Sequence, residues 1–141
     1  MATDDTRRHV AVDRISAKTY TAVNDRGGTI TVGDGSGAAF TPVELLLTAL
    51  AACTAIDVDI VTSRRAEPGS FKVEAEANKV RDTSGSHLTD IAVTFEVRFP
   101  DGPGGDEARA ILPDIVRKSH ERLCTVSRTV ELGTPVRPRI A

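Results

Sequence analysis

The chain has 141 residues, which is enough for one domain of ordinary size with a single core. Eighteen basic and 20 acidic side chains are interspersed and give a formal net charge of −2, so there is no basic footprint for nucleic acid and no polybasic patch for a membrane surface. Four phenylalanines, one tyrosine and no tryptophan provide no base-stacking platform. We therefore expect neither nucleic acid nor a membrane as a partner.

The N-terminal part, residues 10–37, is predicted to consist of strands and a loop. Residues 20–23 and 29–32 are rich in β-branched side chains and flank a turn over residues 24–28, which indicates a β-hairpin. The polar segment 1–9 is expected to be flexible.

A central helix is predicted over residues 42–65. Thr41 is a good N-cap, Pro42 suits the first helical position, and Glu44 stands three residues after the cap, which is the pattern of a capping box. Apolar residues lie on nearly every side of the helix, a pattern that demands burial all round. One subunit of this size has trouble enclosing such a helix, so we expect a second copy of the chain to cover part of it.

The same apolar run is interpreted as part of a soluble protein. It is short for a membrane span, and it ends in Asp57 and Asp59, so both its length and its charge argue against a transmembrane segment.

The C-terminal part, residues 70–141, is predicted to hold strands, a second helix and a final strand. Residues 71–77 and 88–99 alternate apolar and polar side chains, as half-buried antiparallel strands do. Apolar residues at helical spacing follow over residues 106–123 and predict the second helix, in which Pro113 predicts a kink or a late start. Residues 127–136 are expected to end in a strand with a turn. The four parts together are interpreted as one domain, residues 1–141.

Two cysteines are the candidate functional residues, Cys53 in the central helix and Cys124 after the second helix. A buried cysteine usually packs as a small hydrophobic residue, but two thiols can divide attack and resolution in a redox cycle. They form no Cys-x-x-Cys motif, and the three histidines are scattered, so neither a metal nor another cofactor is expected. Two cysteines without a signal leader favour a reducing cytoplasm.

His120 stands four residues before Cys124 and could in principle form a Cys–His pair with it. Such a pair needs a helix that runs through Cys124 and a third group that orients the histidine, and no such group is evident. We interpret His120 as a surface residue of the helix.

The chain resembles the OsmC/Ohr superfamily of thiol-dependent peroxidases from about Tyr20 onward. The resemblance lies in the helix sequence of residues 42–53, in the Cys-Thr-Val-Ser sequence of residues 124–127, where the family favours Cys-Pro-Val-Ser, and in the order of elements between them. It implies an α+β, OsmC-like fold: an intertwined homodimer with antiparallel sheets wrapped around central helices and active sites at the interface.

The resemblance also implies a mechanism. Cys53, as a thiolate, attacks the peroxide and becomes a sulfenic acid, and Cys124 captures it as a disulfide that a dithiol reductant reopens. Family members that favour organic hydroperoxides line the site with apolar side chains, which suits the aliphatic surroundings of Cys53.

Burial raises the pKa of a thiol, so a nearby cation is needed to form the thiolate. In the family an arginine supplies the charge, and a glutamate directly after the helix-starting proline holds it. Here Val43 has that position and Glu44 follows, so the chain resembles a Pro-x-Glu branch of the family. Glu44 has two interpretations, the capping-box partner of Thr41 or the residue that holds the arginine.

Arg26, in the turn between the two hairpin strands, is the first candidate for this arginine, and Arg14 is the alternative. Both lie in the region where the family keeps it. Arg26 is also interpretable as an ordinary solvated residue of a turn.

Three functions stay open at this point. The first is a cysteine-based peroxidase that acts on organic hydroperoxides or hydrogen peroxide. The second is a binding protein for a small apolar or electrophilic ligand that uses Cys53 without turnover. The third is a stress-related dimer whose cysteines are structural.

Overall fold

The computed structural model describes residues 6–141, and the chain divides into two compact units, Met1–Leu46 and Leu47–Ala141. Residues 1–5 of the segment expected to be flexible lie outside the described residues. The long helix of the chain begins in the sequence of the first unit and ends in that of the second.

The first unit contains a three-stranded antiparallel sheet in the order β1-β2-β3, formed by Val10–Ser16, Thr19–Asn24 and Thr29–Val32. The Asn24 side chain shapes the turn after β2, because its Oδ1 accepts hydrogen bonds from the backbone amides of Arg26 and Gly28, each at 2.9 Å. The hairpin predicted from the turn residues is confirmed, and β1 pairs along its outer side.

Helix α1 spans Pro42–Thr62 and begins at a reciprocal cap. The hydroxyl oxygen of Thr41 accepts from the amide of Glu44 at 3.2 Å, and Oε1 of Glu44 accepts from the amide of Thr41 at 2.9 Å. The predicted capping box is therefore confirmed, although the helix ends three residues before the expected boundary. In the second unit, α1 buries one stripe and exposes apolar residues elsewhere; the buried residues are Leu50, Thr54, Val58 and Thr62.

By length and composition alone, α1 is long and apolar enough to cross a membrane, with 21 residues and a mean hydropathy of 1.8. The expectation that the apolar run is too short is therefore wrong, because the helix does not end at Asp57 and Asp59 but continues to Thr62. Asp57 lies within the helix, and its carboxylate accepts a hydrogen bond from another helical segment.

Strands β4, Ser70–Asp82, and β5, Gly85–Arg98, form an antiparallel hairpin. Both are longer than the alternating segments that predicted them, because the ladder continues to the two-residue turn after Asp82. One face carries half-buried apolar side chains, among them Phe71 and Phe95, whose rings meet edge to face with centroids 6.4 Å apart.

Helix α2, Pro103–Lys118, starts earlier than predicted, because Pro103 occupies the first helical turn. The late start inferred from Pro113 is wrong, and this proline lies inside the helix. The helix continues into one π-helical turn, Ser119–Leu123.

The predicted C-terminal strand is wrong. Residues Thr125–Leu132 form helix α3, and the residues after it carry neither helix nor strand. Threonine and valine favour strands, but two caps override this preference here. The Cys124 side chain caps the N-terminus, and Gly133 ends the helix in a left-handed conformation with φ of 62°.

Candidate active site

The two cysteines lie next to each other in the second unit. Cys53 occupies the middle of α1 and is partly exposed, whereas Cys124 stands before α3 and is fully buried. Both are free thiols, and they are close enough for each to shift the pKa of the other. The fold therefore joins two sulfurs that are far apart in the sequence, one within reach of solvent and one enclosed.

The backbone around Cys124 fixes the position of its sulfur. Its amide donates to the carbonyl of Ser119 at 2.8 Å, which closes the π-helical turn, and its extended ψ of 102° ends that turn. Its Sγ accepts from the amide of Ser127 at 3.4 Å and so caps α3. Ser127 is itself buried, so the Cys-Thr-Val-Ser sequence forms a compact turn around the sulfur.

The two thiols are electrostatically unequal. Burial raises the pKa of Cys53 above its ordinary value, the backbone N–H of Val126 offsets this only in part, and the Cys124 thiol and the charge of Asp57 raise it further. Burial also acts on Cys124. There, hydrogen bonds from the hydroxyl and amide of Ser127, together with one from Cys53, outweigh it and hold the pKa below its ordinary value.

Asp57 connects the two halves of the site. It lies one helical turn after Cys53, and its Oδ2 accepts a hydrogen bond of 2.8 Å from the hydroxyl of Ser119. Ser119 is fully buried and also supplies the carbonyl that holds Cys124. In the sequence, Asp57 is recognisable only as a charge that interrupts an apolar run, and its i+4 spacing from Cys53 is the signal that could identify it.

A cavity of about 260 Å³ lies beside the cysteine pair. Thr54, which follows Cys53, and Ser127, which binds Cys124, form part of its wall. Most of the remaining wall is apolar and comes from α1, β5, α2 and α3: Leu50, Ile91, Val93, Phe95, Val116 and Val130. The cavity can enclose a small apolar group beside Thr54 and Ser127.

His120 and Glu131 supply the other polar groups of the cavity wall. Nε2 of His120 lies 3.2 Å from Oε1 of Glu131, and more than half of each side chain is exposed. His120 is thus a largely exposed histidine, as expected, with a glutamate as its partner.

The two other predicted site residues, Glu44 and Arg26, belong to the first unit. Glu44 takes part in the capping box, and Arg26 is exposed in the turn after β2. Arg14, the alternative arginine, lies in β1 opposite Tyr20 of β2. Their roles in activating a thiol stay predictions.

No group of three or more His, Cys, Asp or Glu side chains suited to a metal ion occurs within residues 6–141. Ser119 and Ser127 were missed in the sequence because a serine is common and its hydroxyl partner is set by tertiary structure. Ser127 carried one local signal, since it stands three residues after a residue that can act as an N-cap.

The chain is similar to known proteins of one family. Residues 33–139 match the family described as OsmC-like protein. An uncharacterized protein from Mycobacterium tuberculosis is 30% identical over 126 residues, which cover 89% of this chain and 90% of the relative.

Solved structures show the same fold. An OsmC-like protein of unknown function from Vibrio cholerae superposes with a TM-score of 0.71 at 18% identity, over 89% of this chain and 94% of that one. An organic hydroperoxide resistance protein OsmC from Legionella pneumophila gives a TM-score of 0.60 at 18% identity, over 91% of each chain. The α+β, OsmC-like architecture implied by the resemblance is confirmed, and the chain is a member of the OsmC-like protein family.

Proposed function

We propose that this protein is a thiol-dependent peroxidase that reduces organic hydroperoxides or hydrogen peroxide. The observation that carries the proposal is the contact between Cys53, which is partly exposed, and Cys124, which is fully buried. An accessible sulfur can meet the oxidant, and an enclosed sulfur beside it can resolve the product.

The proposed cycle has three steps. The sulfur of Cys53 attacks the outer peroxide oxygen, so that the O–O bond breaks, an alcohol (or water, from hydrogen peroxide) leaves and Cys53 becomes a sulfenic acid. Cys124 then displaces the hydroxyl group of the sulfenic acid and forms a Cys53–Cys124 disulfide. A dithiol reductant reopens the disulfide by thiol–disulfide exchange and restores both thiols.

The surroundings of the pair favour an organic substrate. The adjoining cavity of about 260 Å³ is mostly apolar and suits an alkyl or aryl group better than water. The Legionella pneumophila protein that shares the fold is named an organic hydroperoxide resistance protein, which supports the same substrate class.

We further propose that the active protein is a homodimer. All seven residues of β1 are exposed, including the apolar Val10, Val12 and Ile15. In the second unit, Ile56 and Ile60 of α1 are 59% and 51% exposed. Apolar surfaces of this kind on one chain are suited to burial against a second copy across a two-fold axis.

The exposed side of α1 also carries Cys53. With Ala49, Ile56 and Ile60 it forms a stripe at alternating spacings of four and three residues, the spacing by which helices pack side by side. A dimer that uses this stripe places the active sites at the interface, as the family resemblance implies.

Binding without turnover is the second candidate function. The cavity wall is built from residues other than the two cysteines, so a small apolar ligand could occupy it without reacting. This alternative keeps the fold and the cavity and gives up the redox cycle.

We propose the cytoplasm as the location. Proteins of the OsmC-like family are soluble, and two free thiols persist most easily in a reducing compartment.

Peroxide consumption tests the proposal directly. Purified protein with dithiothreitol and cumene hydroperoxide should turn over in the wild type and stop at background in Cys53→Ser, while Ser84→Ala, an exposed serine in a turn, serves as a matched control. Equal rates in wild type and Cys53→Ser contradict the peroxidase. Labelling of Cys53 by N-ethylmaleimide together with absent turnover favours the binding protein.

A further inference from the structure

Ser119 lies where the regular helix α2 ends and the π-helical turn begins. Its carbonyl accepts the amide of Cys124 at 2.8 Å, which is an i+5 hydrogen bond in place of the i+4 bond of an α-helix. The extra residue in this turn rotates the chain by about 100° relative to an uninterrupted helix. The π-helical turn therefore sets the direction in which Cys124 leaves the helix.

The side chain of Ser119 ties this turn to α1. Its hydroxyl donates to Oδ2 of Asp57 at 2.8 Å, and Asp57 lies on the same face of α1 as Cys53, one turn further along. Ser119 is fully buried, so water does not compete for its hydroxyl. The bond therefore holds the segment that carries one sulfur against the helix that carries the other.

Other hydrogen bonds fix Cys124 within its own segment. The amide of Ser127 donates to its Sγ at 3.4 Å, and the amide of Arg128 donates to its carbonyl at 3.0 Å. Both of these partners belong to α3, the helix that follows Cys124. They orient the sulfur relative to α3, whereas the bond between Ser119 and Asp57 orients the whole segment relative to α1.

A disulfide has strict geometric requirements, since its two β-carbons must lie about 3.5–4.5 Å apart. When a fold holds two thiols near this arrangement, the entropy of bringing them together is lost during folding and not during the reaction. The sulfurs then behave as if each were present at a high concentration around the other. A contact that holds the two segments together should raise this effective concentration.

We propose that Ser119 and Asp57 are positioning residues for the disulfide, because their hydrogen bond holds Cys124 beside Cys53 for the resolving step. The inference rests on the proposed peroxidase function and assigns a role to two residues that do not react. In the resolving step the sulfur of Cys124 attacks the sulfenic sulfur of Cys53. The S–S bond forms as the S–O bond breaks, and the oxygen leaves as water with the proton of the Cys124 thiol.

The effective concentration is measured without any peroxide. Reduced protein is equilibrated with mixtures of reduced and oxidised glutathione, and mass spectrometry gives the fraction that contains the Cys53–Cys124 disulfide. In this exchange the two thiols pass two electrons to one oxidised glutathione, which becomes two reduced molecules. Ser119→Ala should lower the effective concentration by about tenfold, the low end of what a hydrogen bond to a charged group contributes.

A double-mutant cycle separates positioning from a general loss of stability. Asp57→Ala should cause the same fall as Ser119→Ala, and the double variant should fall no further, because both substitutions remove one bond. Ala108→Gly is the matched control, since it destabilises a buried position in the first half of α2 and should leave the effective concentration unchanged. All variants are compared at a temperature at which circular dichroism shows them to be folded.

Two results of this cycle would overturn the inference. One is an effective concentration for Ser119→Ala that equals that of the wild type. The other is a further tenfold fall in the double variant, which would mean that Ser119 and Asp57 act independently of each other.

The kinetics provide a second readout. After one equivalent of cumene hydroperoxide, Ser119→Ala should form the sulfenic acid on Cys53 at the wild-type rate and close the disulfide about tenfold more slowly, in step with the equilibrium effect. Dimedone should therefore trap more sulfenic acid in this variant. Equal closure rates overturn the positioning role and leave the peroxidase standing. A wild type that does not consume peroxide overturns the proposed function, whatever the glutathione equilibrium shows.

Discussion

The hydroxyl of Ser119 donates a hydrogen bond of 2.8 Å to the carboxylate of Asp57 and so joins the π-helical turn to helix α1 one turn beyond Cys53. The carbonyl of the same serine accepts the amide of Cys124 at 2.8 Å. One fully buried residue therefore holds the backbone of one cysteine against the helix that carries the other.

Ser119→Ala should destabilise the protein by about 2 kcal/mol, because a hydrogen bond to a charged group is lost and the carboxylate of Asp57 is left without this donor. Urea denaturation measures the loss. Ser84→Ala, at an exposed turn position, is the matched control and should leave the midpoint unchanged. A midpoint for Ser119→Ala that equals that of the wild type contradicts the structural role of this bond.

Local signals in the sequence were sufficient for much of the fold. Asn24 and the two glycines of its turn predicted the hairpin, and Thr41, Pro42 and Glu44 predicted the start of α1 to the residue. The C-terminal helix could not be predicted in the same way. Its β-branched residues favour a strand, and its N-cap is a cysteine, a residue that is seldom recognised as a cap.

The capping box gives a prediction for low pH. Hydrogen bonds from the amide and side chain of Thr41 lower the pKa of Glu44, so the folded value lies below the unfolded one. The stabilisation of the folded state by this carboxylate is then complete above the ordinary pKa of glutamate, about 4.3. It is lost as the pH falls through the lower pKa that Glu44 has in the folded protein.

Glu44→Gln tests this assignment, because glutamine keeps the acceptor oxygen and removes the titration. The difference in the free energy of unfolding between wild type and variant should shrink on acidification below about pH 4.3. Thermal unfolding at several pH values measures it, and a difference that does not change with pH argues against the cap as the cause.

Helix α2 packs its first turn closely against the preceding loop. A β-carbon at Gly105 would overlap the carbonyl oxygen of Pro100, which belongs to the backbone and cannot swing away. Gly105→Ala should therefore cost about 3 kcal/mol, the upper range for overpacking. Gly37→Ala is the control, since a β-carbon there meets nothing within 4 Å. Equal urea midpoints for the two variants would refute the close packing.

The proposed dimer is tested on the exposed stripe of α1. Ile56→Glu should convert a dimer of twice the 15.0 kDa chain mass into a monomer, because a carboxylate would be buried at the interface. Light scattering coupled to gel filtration gives the mass. Arg64→Glu introduces a negative charge at an exposed position just beyond the helix and should leave the dimer intact. A wild type that elutes as a monomer contradicts the proposal outright.

The site was only half predictable from sequence. Both cysteines could be named, because their motifs are local, but their contact depends on the packing of α1 against the segment before α3. Asp57, Ser119 and Ser127 act through that contact, so tertiary structure decides their partners, and the spacings of Asp57 from Cys53 and of Ser127 from Cys124 are only local signals.

The most direct test of the central claim is mass spectrometry after one equivalent of cumene hydroperoxide, with wild type, Cys53→Ser and Cys124→Ser in parallel. The account predicts a Cys53–Cys124 disulfide in the wild type, a sulfenic acid on Cys53 in Cys124→Ser, and no oxidation of Cys124 in Cys53→Ser. Wild-type protein whose two thiols are unmodified after minutes of exposure would contradict the peroxidase cycle.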